Sequence, residues 1–442
     1  MIFEQEPKFS FIVPVYDVPV DVFKRCLMSI SDQDYPNIEV VVVANGGDKA
    51  AYDMALEYAK DKKDWTVIFT NEKGACNARN TGFKASTGEI VSFFNSDYVA
   101  KTGMVRMWVD ALMKNPDCGF VYGAYEYRSS NRDVYWSKEF DVYQLEVANY
   151  IDCGFPLWRK YVQEWDQDVK SLQDWDFWLR IVKAGVKGKY LGREISYLAE
   201  YPRPKGLSMD STDNWLERVK FIKDKNGVPS RDICVVSEGA ANHGLRIAKM
   251  IGADYRDDTL HKPHNYKALY LIGWYMKPGE SGNRHSYILS RFQDSKKIVH
   301  FVGADIYWLR KFPVERIRVF AGALKMSTDK ILCENKAAQE ELLGFGIDAT
   351  IVPIPPYTDL EVKPLPKDFT VALYLTDRSD FDKYLKEHTL SIVKAMPDVK
   401  FMGYGDADLT GFEAKNFQHK GTLSKDEWEK LLITDPVLGA DL

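Results

Sequence analysis

Short β-branched runs alternate with stretches of helical spacing along the first hundred residues. Phe9–Tyr16 is almost continuously apolar, and Val20, Phe23, Leu27 and Ile30 then recur at the three- and four-residue intervals of one helix face. Ile38–Val43 is a second such run, and it stops at the turn-forming Ala44-Asn45-Gly46-Gly47. The unit repeats with Asp48–Lys62 as helix and Trp65–Phe69 as strand. Strand, helix, strand in this order predicts βαβ units, hence a parallel sheet with right-handed crossovers. A fourth run, Val91–Phe94, has the character of a central strand buried on both faces.

Polar chemistry gathers where that fourth run ends. Asn95 and Asp97 lie two apart, so in an extended segment both project to one side. Ligands of open α/β sheets bind outside the carboxyl ends of the strands, which is where this pair falls. Oxygen donors at this spacing suit a hard divalent cation bridging a diphosphate, because Mg²⁺ takes one or two carboxylates and leaves its other positions to phosphate and water. An ordinary turn is the alternative, since Asn, Ser and Asp all favour turns.

Four segments in sequence order, Ile12–Tyr16, Ile38–Gly47, Ala75–Asp97 and Gln173–Ile181, resemble those of family 2 glycosyltransferases with the GT-A fold. The resemblance covers roughly the first half of the chain. It implies an inverting transferase that moves a sugar from a nucleotide diphosphate sugar, UDP-linked, to a hydroxyl of a glycan or glycoconjugate. Position by position, it implies that Pro14 and Tyr16 pack against the nucleotide base and that Asn45 lies in the base-binding turn. Arg79 would approach the diphosphate, where a planar guanidinium suits phosphate oxygens. Asp97 would be the metal ligand and Asn95 its uncharged companion. Asp174 takes the place of the general base, with Gln173 replacing its acidic partner; such a base acts only within about 3 Å of the acceptor hydroxyl. Trp158 and Trp178 are the acceptor-binding candidates, and Arg203 and Lys205 the cations of a closing loop that would neutralise the leaving diphosphate.

The chain also departs from the family pattern. Ala44-Asn45 stands where an acidic pair is usual, which weakens the implied uracil preference. With one carboxylate fewer at Asn95, Mg²⁺ or Mn²⁺ is expected to bind mainly together with the nucleotide. In the helix that begins at Gln173, Trp175, Leu179 and Val182 form an apolar stripe, and Asp176 with Arg180 is an i,i+4 pair assigned to structure.

After about residue 228 the pattern restarts. Asp232–Ser237 is another apolar strand, and Gly239–Gly244 leads into a helix as a ligand loop does. Ile298–Asp305, Lys330–Asn335 and Gly346–Pro356 resemble the amino-terminal lobe and hinge of GT-B glycosyltransferases, and Phe369–Leu375 opens what would be a second lobe, incomplete in the residues that follow. The expected architecture is α/β throughout: a GT-A nucleotide-sugar-binding domain over residues 1–228, a Rossmann-like GT-B-type lobe over 229–362, and an incomplete second lobe over 363–442.

Composition narrows the partners. A net charge of −5 gives no general attraction to nucleic acid or anionic membrane. The six cysteines are widely spaced with no CxxC pair, which argues against a zinc site and agrees with a reducing compartment. No apolar run reaches 18 residues, so a cytoplasmic protein is expected, with Trp308–Phe312 the segment that mixes aromatics and cations suitably for peripheral membrane contact. Two other classes of function stay open at this point. One is a glycan-binding or scaffold protein with a decayed site, suggested by Ala44, Asn45, Asn95 and Gln173; the other is a transferase acting on hydroxylated DNA bases, which the acidity disfavours.

Overall fold

The computed structural model describes residues 6–46, 49–127, 134–135, 137–200, 214–237, 241–256, 265–274, 284–292, 294–354, 370–375, 382–405, 409–423, 427 and 437–440. The chain forms two compact units, residues 1–353 and 354–442.

The first unit begins with the predicted βαβ series. Strand β1 (Phe9–Val15), helix α1 (Val20–Ser31), strand β2 (Ile38–Asn45), helix α2 (Lys49–Ala59) and strand β3 (Trp65–Thr70) follow one another as the periodicity requires. Helix α1 buries Phe23, Cys26, Leu27 and Ile30, the four residues that set its spacing. Helix α3 (Ala75–Ala85) then returns the chain to strand β4 (Ile90–Phe93), giving the parallel order β3-β2-β1-β4. Gly82 lets α3 lie close to this sheet: a Cβ there would sit 2.5 Å from Ile12 Cγ2 and 3.1 Å from Val43 Cγ2. That close approach holds Arg79, one turn earlier, near the carboxyl end of β4.

Beyond β4 the sheet becomes mixed. Strands β5 (Tyr98–Ala100), β6 (Cys118–Tyr127), β7 (Val134–Tyr135), β8 (Leu157–Trp158) and β9 (Lys187–Ala199) extend it, with β8 antiparallel to β4 and β9 parallel to β6. Helices α4 (Met104–Lys114), α5 (Val142–Val147), α6 (Gln173–Lys183) and α7 (Trp215–Lys225) belong to the same domain. Aromatic rings fill its core: Tyr197 packs on Phe94, Tyr98, Trp108, Tyr125 and Phe155.

A second sheet in the same unit is wholly parallel. It contains β10 (Ile233–Ser237), β11 (Asp254–Arg256), β12 (Ala268–Ile272), β13 (Lys296–Phe301), β14 (Lys330–Cys333) and β15 (Thr350–Ile351), in the order β11-β10-β12-β13-β14-β15. Helices α8 (Ala241–Ile251), α9 (Arg284–Arg291), α10 (Ala304–Leu309), α11 (Val314–Ser327) and α12 (Lys336–Gly344) connect its strands, a doubly wound arrangement. Leu309 and Phe312 are buried there, so the 308–312 segment spends two of its apolar side chains on the core rather than on a bilayer. The second unit holds a four-stranded parallel sheet, β16 (Thr370–Leu375), β17 (Lys400–Gly405), β18 (Phe417–His419) and β19 (Val437–Ala440), with helix α13 (Asp382–Ala395). Among the described residues, no helix is long and apolar enough to cross a membrane.

Candidate active site

The carboxyl ends of β1, β2 and β4 form one edge of the first sheet, and the site is built along it. At the β1 and β2 ends, Tyr16 is about half exposed and its ring lies beside Gly46, as does the side chain of Lys73. Pro14 sits in β1 opposite Val43. Asn45 ends β2 with its carboxamide buried, and its Oδ1 has no hydrogen-bond partner among the described residues.

Arg79 is the centre of the site. Its guanidinium is buried, donating from Nη1 to Gln173 Oε1 (2.9 Å) and from Nη2 to Asn95 Oδ1 (3.3 Å). It lies face-on to the Trp165 ring, 4.4 Å from the centroid, and Cys153 Sγ is 3.7 Å from Nη2. A buried cation needs such fixed polar partners, and three of them come from different segments that only the fold brings together. The Asn95 carboxamide oxygen is thus turned to Arg79, with the Cys153 thiol a further 3.8 Å contact. Asp97, two residues on, is half-buried, and its backbone oxygen accepts from Glu200 N at 2.8 Å.

Asp174 faces this cluster from the first turn of α6. The helix is entered through Leu172 at φ 58°, a left-handed conformation that a Cβ disfavours and that recurs at functional sites. Burial pushes the Asp174 carboxyl above the ordinary carboxylate range, while the Arg79 charge and hydrogen bonds from Cys153 oppose the rise. One oxygen of Asp174, one of Asp152 and Cys153 Sγ lie within 4.8 Å of one another.

Asp152 is held harder than Asp174. Its Oδ1 accepts from Tyr197 Oη (2.7 Å) and Gly154 N (2.8 Å), and its Oδ2 from Tyr98 Oη (2.8 Å). Burial, and next the neighbouring Asp174 charge, push its pKa up to about 6. The Cys153 thiol is pushed well up by burial, so it stays protonated and donates. Asp152, Cys153 and Trp165 were not singled out for this role by the sequence reading. The available signal was a carboxylate embedded in the apolar stretch Tyr150–Trp158, a position that buries a charge only with partners.

Two acceptor candidates are corrected. Trp178 is fully buried, with its ring against Phe120 and Phe177, and presents no surface to a sugar. Trp158 pairs with Ile90 at the amino end of β4, while Asn95 follows the carboxyl end. Five residues of extended chain separate the two levels by roughly 16 Å. Arg203 and Lys205 lie outside the described residues.

Part of the chain is similar to known proteins. Residues 10–183 match the family described as Glycosyl transferase family 2. The chain is 36% identical over 93 residues to the putative glycosyltransferase EpsH of Bacillus subtilis (strain 168), covering 21% of this chain and 27% of that protein. It is 27% identical over 219 residues to the uncharacterized glycosyltransferase EpsJ of the same organism, 44% of this chain and 62% of that one. These matches therefore span less than two thirds of either relative. A third relative, 29% identical over 183 residues (39% of this chain, 69% of the relative), is the Escherichia coli UDP-Glc:alpha-D-GlcNAc-diphosphoundecaprenol beta-1,3-glucosyltransferase WfgD. Among solved structures, S. aureus TarS 1–349 in complex with UDP-GlcNAc aligns at a TM-score of 0.42 and 20% identity, over 49% of this chain and 66% of that one.

Proposed function

We propose that this chain, whose residues 10–183 match the family described as Glycosyl transferase family 2, transfers a sugar from a UDP-linked donor to a hydroxyl of a glycan or glycoconjugate with inversion. The observation that carries the reading is the meeting of Asp174, Arg79 and Asn95 at the carboxyl edge of the parallel strands, where a nucleotide diphosphate is bound in such sheets. In this mechanism Asp174 accepts the proton of the acceptor hydroxyl as its oxygen attacks the anomeric carbon. The bond to the diphosphate breaks on the opposite face, and Arg79 balances the charge that leaves. Burial raises Asp174 above an ordinary carboxylate, which makes it a better proton acceptor than a free aspartate.

The donor set suits a divalent cation only in part. Asn95 is committed to Arg79, so Asp97 is the carboxylate that would hold Mg²⁺ or Mn²⁺, and the diphosphate would complete the shell. When bound, the cation supplies positive charge against the leaving diphosphate. Asn45 Oδ1, buried without a partner among the described residues, is an acceptor that a base N–H would satisfy, which supports a uracil-type base despite the missing acidic pair. WfgD, whose name records UDP-glucose and a diphosphoundecaprenol-linked acceptor, supports a UDP donor and an acceptor of the same general kind.

The test is a panel of nucleotide sugars assayed for thermal shift and hydrolysis, with and without Mn²⁺, on wild type and Asp97→Ala. A metal-dependent shift with one UDP-sugar, lost in the variant, is expected. Absence of any response to nucleotide sugars would replace the reading with that of a binding protein whose donor site has decayed.

A further inference from the structure

The helix that carries Asp174 is held from outside the family 2 domain. Helix α5 lies between α6 and strand β11, the edge strand of the second sheet. On its inner side the Leu145 carbonyl accepts from Trp175 Nε1 at 2.6 Å, and Trp175 is the residue next to Asp174. On its outer side Tyr143 Oη is 2.5 Å from the Ala253 carbonyl and 3.1 Å from that of Ala248, both in the second-sheet module. Arg231, just before β10, lies over the Tyr143 ring at 4.1 Å and donates to Glu146 Oε2 (2.9 Å) and Asp254 Oδ1 (3.0 Å).

Asp254 completes the junction. It is 1% exposed, and its Oδ2 accepts from Tyr266 Oη (2.8 Å) and from Lys223 Nζ of α7 (3.1 Å). Helix α7 also reaches α6 directly, since Lys225 Nζ and Asn226 Nδ2 donate to buried Asp176 at 2.6 and 2.9 Å. Asp174 is therefore followed directly in α6 by two residues, Trp175 and Asp176, whose polar atoms are fixed by elements that the second module touches. Such a buried network is rigid when every member is satisfied and loosens as a whole when one is lost.

We infer that Tyr143, Arg231 and Asp254 are positioning residues for the proposed base: the second-sheet module braces the first turn of α6 through α5 and α7, and so sets the placement of Asp174. The inference rests on the reading of Asp174 as base. A ready base must stand within hydrogen-bond reach of the acceptor oxygen, and misplacement of about 1 Å costs on the order of 10²-fold in rate. The donor half, built on β1, β2 and Arg79, does not touch Tyr143, Arg231 or Asp254 in any of the contacts above.

The experiment compares full-length wild type with Tyr143→Phe, Arg231→Met and, as a surface control in the same module, Lys267→Met, whose exposed partner is Asp232. Three readouts are taken: deuterium exchange of backbone amides over 172–183, UDP affinity with Mn²⁺, and hydrolysis of whichever UDP-sugar the wild type turns over. For both junction variants, exchange in the first turn of α6 is expected to rise about tenfold and hydrolysis to fall about tenfold, with the UDP Kd within twofold and the control unchanged. Increased exchange confined to residues 141–150 and 231–256, with α6 as in wild type, would overturn the brace. Equal losses of UDP affinity and hydrolysis would overturn it too, as general destabilisation. If Arg231→Met does not fold, Tyr143→Phe carries the test, since it removes one oxygen and leaves the ring. If wild type hydrolyses no UDP-sugar, the activity reading fails separately, and exchange over α6 alone decides the brace.

Discussion

Glu39→Gln should weaken the frame on which the donor site is built. Glu39 is 8% exposed and its carboxylate ties three segments together at the amino end of the sheet. Oε2 accepts from Ser10 Oγ (2.6 Å) in β1, and from Thr87 N (2.7 Å) and Gly88 N (3.3 Å) just before β4. Oε1 accepts from Thr87 Oγ1 (2.8 Å) and Lys8 Nζ (3.0 Å). Burial alone would raise this carboxyl, but the hydrogen bonds from Ser10, Thr87 and Lys8 win and hold it down to about 2 from the ordinary 4.5. At about 1.4 kcal/mol per pKa unit, the ionised form contributes about 3 kcal/mol to the folded state at neutral pH.

The sign follows from proton counts. Between pH 4.5 and 2 the unfolded chain binds a proton at this position that the folded chain does not, so stability rises with pH across that window. The contribution is fully present above pH 4.5 and lost as pH falls through 2. Urea unfolding of the first unit, followed by tryptophan fluorescence, should show Glu39→Gln less stable by about 3 kcal/mol at pH 7, because the amide removes the charge and in either orientation turns its NH₂ toward donors, Thr87 N and Gly88 N on one side or Lys8 Nζ on the other. The gap to wild type should shrink below pH 4.5. A variant within about 0.5 kcal/mol of wild type at pH 7, with a parallel acid profile, would refute the reasoning.

Other expectations follow from single contacts. Gly82→Val should cost at least 1–3 kcal/mol and weaken nucleotide binding, since its Cβ would enter the Ile12 side chain and lift α3 with Arg79; urea midpoints and UDP titration check both effects. His300 is buried, with Nδ1 2.7 Å from Tyr270 Oη, and burial lowers its pKa to about 4. The unfolded chain protonates this ring from about pH 6.5 downward, so wild type should lose up to about 3 kcal/mol between pH 6.5 and 4, and His300→Gln should remove that share of the acid sensitivity in urea midpoints at pH 7 and pH 5. Trp178→Phe should lower stability by about 1–3 kcal/mol while leaving the KM of any acceptor unchanged, which steady-state kinetics would show.

Much of the parallel half was legible because its physics is local. Val40–Val43 has to be a strand buried on both faces, and the four apolar positions of α1 can share one face only as a helix. Asp174, Arg79 and Asn95 were legible one by one through the resemblance, and the structure joins Arg79 to Asn95 directly and to Asp174 through Gln173, the adjacent residue. What escaped is non-local. Strand β8 is two residues long, yet it decides that Asp152 and Cys153 reach the site while Trp158 runs away from it along β4. A tryptophan in a sequence shows a large apolar ring and one N–H, and those properties serve a core and a sugar platform equally well; only the packing of Trp178 on Phe120 separates the two. The junction ties Tyr143 and Glu146 of α5 to Ala253 and Arg231, residues more than eighty positions away, and no periodicity announces such a pairing.

The central claim is that Asp174 acts on the acceptor while Arg79 and its neighbours hold the donor. Its most direct test measures UDP binding with Mn²⁺ and UDP-sugar hydrolysis in wild type and Asp174→Asn. Hydrolysis should fall by about 10² to 10⁴-fold with UDP affinity within threefold, as expected when a general base is removed from an intact donor site. Undiminished hydrolysis in Asp174→Asn would contradict the account.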